Sequence, residues 1–460
     1  MTRDMFRWPV LGFMLKNRYF LVALRVAVLG LFFYAIVWGF LHPHASRGEP
    51  SLTTALFWGL FWPFFMVLSL ATFGPLFCGV CPHGFVGRWL NKTGLKKPLP
   101  QGAKKPLIGT AVLILGYWAV IYAFPGFYKT PWAAAALFGV LTLYAFALFY
   151  IYDKMAYCKV FCPIGAVTRA FGRVGFAWLT TDQKSCANCD KSHACAKACP
   201  YGLNPERFDA INSMEDCKLC MKCAHACDAV RFEARAPASS LFKPMPRAKT
   251  FELWTVFAIV WMATMTMQFH HGLGFSSVGH CLPWAVQGRA LKELFGAGAD
   301  WTGVMAMLYS LAATVVLGLG GLWLAAKLLK KSFEETLLQL GWAYAPLMIF
   351  GSLFHVGSFF FFHYYSDIVN GFNQAFFLGF DPVQPLASRR DAWVHIVFGL
   401  FKYIGLALSA LILWRRVSLL GAQGGLRVAV FGAGWLLGLF YLGLQIYRAL
   451  LPAATGMHNH

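Results

Sequence analysis

A polytopic α-helical membrane protein carrying one small cysteine-rich α+β insert is the fold class this sequence predicts, and three observations predict it. Of 460 residues, 58% are hydrophobic and 13% charged, more apolar surface than a soluble fold of this size can bury. About nine apolar runs are each long enough to cross roughly 30 Å of hydrocarbon. One long polar interruption, residues 153 to 250, holds the two densest cysteine runs.

The apolar runs fall near residues 19 to 41, 55 to 77, 106 to 124, 132 to 152, 251 to 269, 301 to 326, 337 to 362, 391 to 414 and 426 to 450. Arg3, Arg7, Lys16 and Arg18 precede the first run, and no small-residue cleavage site follows it. The segment is therefore expected to stay as an anchor with the amino terminus in the cytoplasm. The second run returns to Arg88, Lys92, Lys96, Lys97, Lys104 and Lys105, the strongest basic loop in the chain. Lys327, Lys330, Lys331, Arg415, Arg416 and Arg427 fall on the same side. The opposite loops are poorer in charge, with Arg47, Lys129, Arg289, Lys292, Arg389 and Arg390, which puts the carboxyl terminus in the periplasm of a bacterial inner membrane. This asymmetry accounts for the net charge of +21 better than nucleic-acid binding does. Three domains are expected: a four-helix membrane domain over residues 1 to 152, a cytoplasmic domain over 153 to 250, and a five-helix membrane domain over 251 to 460.

Twelve of the thirteen cysteines lie between Cys78 and Cys227 at short spacings, which suits metal sites better than disulfides. CANCDKSHACAKACP supplies Cys186, Cys189, Cys195 and Cys199, and CKLCMKCAHAC supplies Cys217, Cys220, Cys223 and Cys227. The second run has bacterial ferredoxin spacing, and the first is its variant with a longer middle gap. In that arrangement each [4Fe-4S] cluster takes three thiolates from one run and the last from the other. The expected sets are Cys186, Cys189, Cys195 with Cys227, and Cys217, Cys220, Cys223 with Cys199, in a small bacterial-type ferredoxin module. Structural zinc is the alternative, but zinc ribbons pair two CxxC units and do not use three-plus-one runs. His193 and His225 read as surface residues beside a full thiolate set, and Asp228 replaces the Pro that often follows the last Cys.

A short internal repeat forms a second constellation: CGVCPHG (Cys78 to Gly84) and CKVFCPIG (Cys158 to Gly165) each end an apolar run at the same membrane face. Cys78, Cys81, Cys158 and Cys162 could hold a third Fe-S cluster or a copper ion, or act as a redox thiol pair, with inert buried cysteine as the bland alternative. The repeated turn argues against that alternative.

Histidine on the outer side forms a third. His42, His44, His270, His271, His280, His355, His363, His395, His458 and His460 map to outer loops, helix ends or the tail, with Met262, Met265 and Met267 nearby and His280 beside Cys281. Copper or iron handling is compatible with these ligands, although methionine at helical spacing is more often core. His355 and His395 lie within apolar runs and could bracket a haem b. Lys402 sits mid-span, where a charge needs a polar cavity, a carboxylate or a cofactor. Arg25 is close enough to a span end to snorkel.

At the two Cys-Pro repeats followed by two ferredoxin runs, residues 20 to 235 resemble the membrane polyferredoxins, a group with NapH-type, NosR-type and CcoG-type members. The resemblance implies that Cys78, Cys81, Cys158 and Cys162 occupy the family's membrane-face positions, although the first pair has a gap of two where three is usual. The second half lacks a long periplasmic flavin domain and a terminal β-sandwich, and its layout is most similar to the FtrD-type polyferredoxin of bacterial ferrous-iron uptake. That similarity implies electron transfer beside an iron permease, a periplasmic iron-binding protein and a cupredoxin, with electrons flowing inward. A cytoplasmic electron carrier or the quinone pool would be the partner inside. Alternatives are a quinol-linked or copper-reducing oxidoreductase of periplasmic respiration or oxidase assembly, and an Fe-S redox sensor or metal transporter. No P-loop or other nucleotide-phosphate signature stands out, which argues against an ATP-driven pump.

Overall fold

The computed structural model describes residues 3–44, 51–69, 74–104, 107–124, 126, 130–172, 174–187, 189, 193–208, 216–236, 238–245, 248–274, 276–389 and 391–451. Arg47, Lys105, Lys129, Arg390, His458 and His460 lie outside them. The chain divides into two compact units.

The first unit comprises Met1–Val112, Tyr128–Ser240 and Phe359–Asp391. Its long helices are α1 (Arg18–Leu41), α2 (Ala55–Leu68) and, after the short α3 (Leu76–Val80) and α4 (Pro82–Thr93), α5 (Pro131–Ile151). Asn17 starts α1 by accepting a hydrogen bond from the Phe20 N–H, which satisfies one of the orphan donors at a helix start. Pro131 opens α5 at a position where a missing N–H costs nothing. Gly39 lets α1 approach α5 closely: a Cβ there would sit 2.8 Å from both the Ala135 side chain and the Pro131 carbonyl. Phe57 and Phe138 stack face to face at 3.9 Å within this core, with Phe32 packed edge-on against both.

After α6 (Pro163–Gly172), the polar segment folds around a three-stranded antiparallel sheet of order β1-β3-β2. The strands are β1 (Arg3–Asp4), β2 (Ala177–Thr181) and β3 (Val230–Ala234), with Leu179 opposite Phe232. Two one-turn helices, α7 (Ala194–Ala198) and α8 (Lys222–Ala226), lie inside the two cysteine runs and pack together.

The second unit comprises Leu113–Phe127, Leu241–Ser358 and Ala392–His460. Its helical runs are α9 (Thr250–Leu273), α10 (Trp301–Leu329), the part of α11 (Phe333–Phe376) up to Ser358, α12 (Ala392–Leu419), α13 (Gly424–Gly434) and α14 (Leu436–Leu450). The Glu252 carboxylate accepts from the Lys249 N–H at the start of α9, and Asp300 caps α10 through the Gly303 N–H. Arg416 is fully buried and donates to the Gln339 and Lys243 carbonyls.

Among the described residues six helices are long and apolar enough to cross a membrane, and a seventh span exists if α13 and α14, bent by 58° at Trp435, count as one. The protein is multi-pass, and these helices fall on seven of the nine expected runs. The runs near 55 to 77 and 106 to 124 form shorter apolar helices, Leu52–Phe64 and Leu107–Ala123. The chain turns at Gly74, whose φ is +62°, before α3 begins.

Candidate functional site

Each Cys-Pro repeat is built the same way. A cysteine takes the position before a helix, proline the first helical position and glycine the third, so Cys81 precedes α4 and Cys162 precedes α6. The Cys162 sulfur accepts from the Gly165 N–H at 3.2 Å, and the Cys81 sulfur takes the equivalent bond from Gly84. Both thiols thus cap a helix start, where the helix dipole favours a thiolate. Without a metal these thiols hold their protons: burial first, and the neighbouring Cys78 second, push Cys81 up to about 12 and Cys162 to about 11.

Cys78, Cys81, Cys158 and Cys162 line one cavity, together with Phe77, His83, Tyr157, Tyr201 and Lys218. One buried cation, Lys218, lines it, and two more, Arg25 and Arg88, are buried beside the adjoining Cys220. Arg25 donates from Nε to the Gly79 carbonyl (2.9 Å) and from Nη2 to the Cys220 carbonyl (3.0 Å). Lys218 is 1% exposed and its Nζ donates to the Gly165 carbonyl and Thr168 Oγ1, both at 3.2 Å, with Cys78 Sγ 3.8 Å from the same hydroxyl. Arg88 is buried over the Phe85 ring. None of the three forms an ion pair with a carboxylate among the described residues. The nearby Asp216 is engaged by Arg169 at 2.6 Å.

Cys199, Cys217, Cys220 and Cys223 line a second cavity, the set expected from the three-plus-one spacing, and Tyr201 is a wall of both cavities. Leu219 and Met221 adopt left-handed backbone (φ +45° and +61°), which folds the run tightly enough for the Leu219 N–H to donate to Cys217 Sγ at 3.4 Å. Burial, then Cys220 and Cys199, raise the Cys223 thiol to about 12.

The remaining set also converges. The Cys186 thiol is raised by burial and then by its neighbours Cys189 and Cys227, and Cys195 Sγ lies 3.7 Å from the Glu206 carboxylate. Cys189 is exposed. His193 is exposed, His225 meets the Leu15 carbonyl at 3.0 Å, and Asp228 faces Lys16.

In the second unit His270 bonds Asp300 through Nε2 at 3.0 Å and stacks edge-on against His271 at 4.6 Å, and His271 has His355 among its neighbours. His395 is exposed on α12, and the structure groups His355 with His271. Burial would raise the Asp300 carboxyl, but the His270 and Gly303 hydrogen bonds overcome it and hold the group below its usual range. Met262 and Met265 are fully buried core residues. Lys402 is buried with Nζ 3.7 Å from the centre of the Phe354 ring, a cation–π contact. His42, His44, His280 and Cys281 are exposed, and His363 is half-buried.

Sequence reasoning missed Arg25, Lys218 and Arg88. Arg25 does not snorkel: it is 5% exposed and ties α1 to both cysteine motifs. The signals were a charge inside an apolar helix and a lysine between two cysteines.

A family model described as a 4Fe-4S binding domain matches the chain twice, at residues 54–100 and 133–180. Each match contains one Cys-Pro repeat, so the two hairpins are copies of one unit. An uncharacterised protein of Methanocaldococcus jannaschii is 29% identical over 191 residues, covering 36% of this chain and 75% of the relative. No solved structure matches the chain significantly. A 4Fe-4S binding domain combined with several apolar helices fits a membrane polyferredoxin.

Proposed function

We propose that this chain is a membrane electron-transfer protein with three [4Fe-4S] centres, held by Cys186/Cys189/Cys195/Cys227, by Cys199/Cys217/Cys220/Cys223 and by Cys78/Cys81/Cys158/Cys162. The observation that carries the third centre is charge. Lys218 is buried on the wall of the four-thiol cavity and Arg25 and Arg88 are buried beside the adjoining Cys220, none of them in an ion pair with a carboxylate among the described residues, and an unpaired buried charge costs several kcal/mol, on the order of 3–5 when one partner of a buried pair is lost. A cube bound by four thiolates is anionic and would supply the missing counter-charge, whereas neutral cysteines would not. When bound, the clusters supply one-electron redox chemistry. The chain fixes their thiolates at helix starts, donates backbone N–H groups to sulfur, and keeps water from the inner two.

Ferrous-iron uptake is the setting we propose, with a periplasmic cupredoxin or other metalloprotein and an iron permease as partners and a cytoplasmic electron carrier or the quinone pool on the other side. Support for it comes from the sequence resemblance and from the histidine group of the second unit, where exchange with a metalloprotein or metal ion would occur. Anaerobic purification with iron and sulfide analysis tests the centres: Cys78→Ser and Cys162→Ser should each remove about a third of both. Colourless protein carrying zinc would sink the redox reading. A haem held by His271 or His355 would show a Soret band that His355→Ala removes.

A further inference from the structure

Cys199, Pro200, Tyr201 and Gly202 repeat, at the end of the first ferredoxin-type run, the Cys-Pro-x-Gly pattern that begins at Cys81 and again at Cys162. The third residue of each copy, His83, Ile164 and Tyr201, lines the membrane-face cavity. A turn places Tyr201 there: the Gly202 N–H donates to the Cys199 carbonyl at 3.2 Å, and Gly202 takes a φ of +62°, which suits glycine. Of the residues that line the two inner cavities, Tyr201 alone lines both. It is 1% exposed, yet its hydroxyl has no hydrogen-bond partner among the described residues. A buried O–H without an acceptor is costly, so the cavities it faces are where its acceptor belongs.

The four membrane-face thiols differ in what donates to them. Cys81 receives the Gly84 N–H, and Cys162 receives the Gly165 N–H and the Tyr157 hydroxyl. Cys78 Sγ lies 3.8 Å from the Thr168 hydroxyl. Cys158 takes no hydrogen bond on sulfur among the described residues. Cys158 also heads the ionisable groups that act on Tyr201, ahead of Cys220, Arg88 and Cys78. Cys220, in the middle set, already receives the Lys222 N–H.

We propose that the Tyr201 hydroxyl donates a hydrogen bond to the Cys158 sulfur of the membrane-face centre and thereby raises the reduction potential of that centre. The inference rests on the three-centre reading given above. A protonated thiol accepts weakly, whereas a ligand thiolate is a charged acceptor, so the bond belongs to the loaded centre. Adding an electron to a cube makes its sulfurs more negative, and a donor to sulfur is therefore worth more in the reduced state. Burial strengthens the effect, since no water competes for either atom. Because the Tyr201 ring stands in the wall shared by the two inner cavities, one side chain both separates the two centres and acts on one of them. When an electron passes between them, one cube is oxidised and the other reduced by one electron. No bond is made or broken in that step, and Tyr201 keeps its proton.

Potentiometric titration of the purified full-length protein, followed by electron paramagnetic resonance, tests the assignment. The membrane-face signal is the one absent from Cys162→Ser. Tyr201→Phe keeps the ring, so it should retain iron and sulfide and shift the membrane-face midpoint downward while the other two stay in place. A ring-fluorinated tyrosine placed at position 201 alone, a stronger O–H donor of nearly the same shape, should shift that midpoint upward. If Tyr201→Phe instead sheds the membrane-face cluster, the fluorotyrosine shift decides, and its absence would leave Tyr201 a purely structural residue. Three cubes per chain with the membrane-face midpoint indifferent to both replacements, or with the Cys199/Cys217/Cys220/Cys223 midpoint moving in its place, would overturn the assignment alone. Iron and sulfide for only two cubes would overturn the three-centre reading and the assignment with it.

Discussion

Gly79 and Gly165 show how little room the membrane-face site leaves. A Cβ on Gly79 would lie 2.6 Å from the Leu219 carbonyl, and one on Gly165 2.4 Å from the Cys158 carbonyl. Both obstacles are backbone, which cannot swing aside as a side chain can. Gly79→Ala should therefore push the Cys217–Cys223 run off the first repeat and reduce iron at both inner sets, whereas Gly84→Ala, whose Cβ finds its nearest atom at 3.7 Å, should keep them. Iron and sulfide analysis of the two variants side by side checks this, and equal losses would contradict it. The spacing of cysteines made the ligand sets readable from sequence, because ligand order along a run follows from how a chain wraps a cube. The glycine constraint was not readable, since Leu219 is far from both repeats along the chain and only folding brings its carbonyl there.

Helix ends carry the next level of organisation. Asp300 caps α10 and simultaneously bonds His270 on α9, so one carboxylate fixes two elements of the second unit. Asp300→Ala should cost about 1 kcal/mol from the cap alone, with the His270 bond in addition, read as a lower unfolding temperature in detergent. Because the folded-state value of this carboxyl lies below its ordinary one, its contribution is fully present above the ordinary carboxylate range and fades as pH falls through the depressed value. The Asp300→Ala protein should thus show a smaller loss of stability on acidification than the parent. On α1, Arg25 performs the comparable task in the first unit. Arg25→Leu would orphan the Gly79 and Cys220 carbonyls at about 1–3 kcal/mol each, and hydrogen exchange over residues 217 to 223 should accelerate. If exchange there were unchanged, the arginine would not be the tie described.

At the scale of the whole molecule, the basic loops predict which segments share a side of the membrane. Single cysteines placed at Lys97 and Lys330 in a background lacking Cys281 should be protected from a membrane-impermeant thiol reagent in intact cells, and one placed at Arg289 should react. Labelling at Lys97 would reverse the orientation and detach the proposed wiring from the cell interior.

Hydropathy by itself determined that the protein is a multi-pass helical one, because an apolar run of sufficient length must satisfy its own backbone wherever lipid surrounds it. Cysteine spacing likewise marked two groups of four thiols as proposed ligand sets, and the CxxCP and CxxxCP repeat marked a third group. Tertiary structure decided what lies between these local signals. It grouped His355 with His271, and His271 with His270, while leaving His395 exposed. It also turned Lys218 into a buried cation on the wall of the membrane-face cavity and Arg25 into a buried one at the Gly79 and Cys220 carbonyls. Those placements depend on contacts between residues as far apart in the chain as Arg25 and Cys220, and no local pattern encodes a distance that only packing sets.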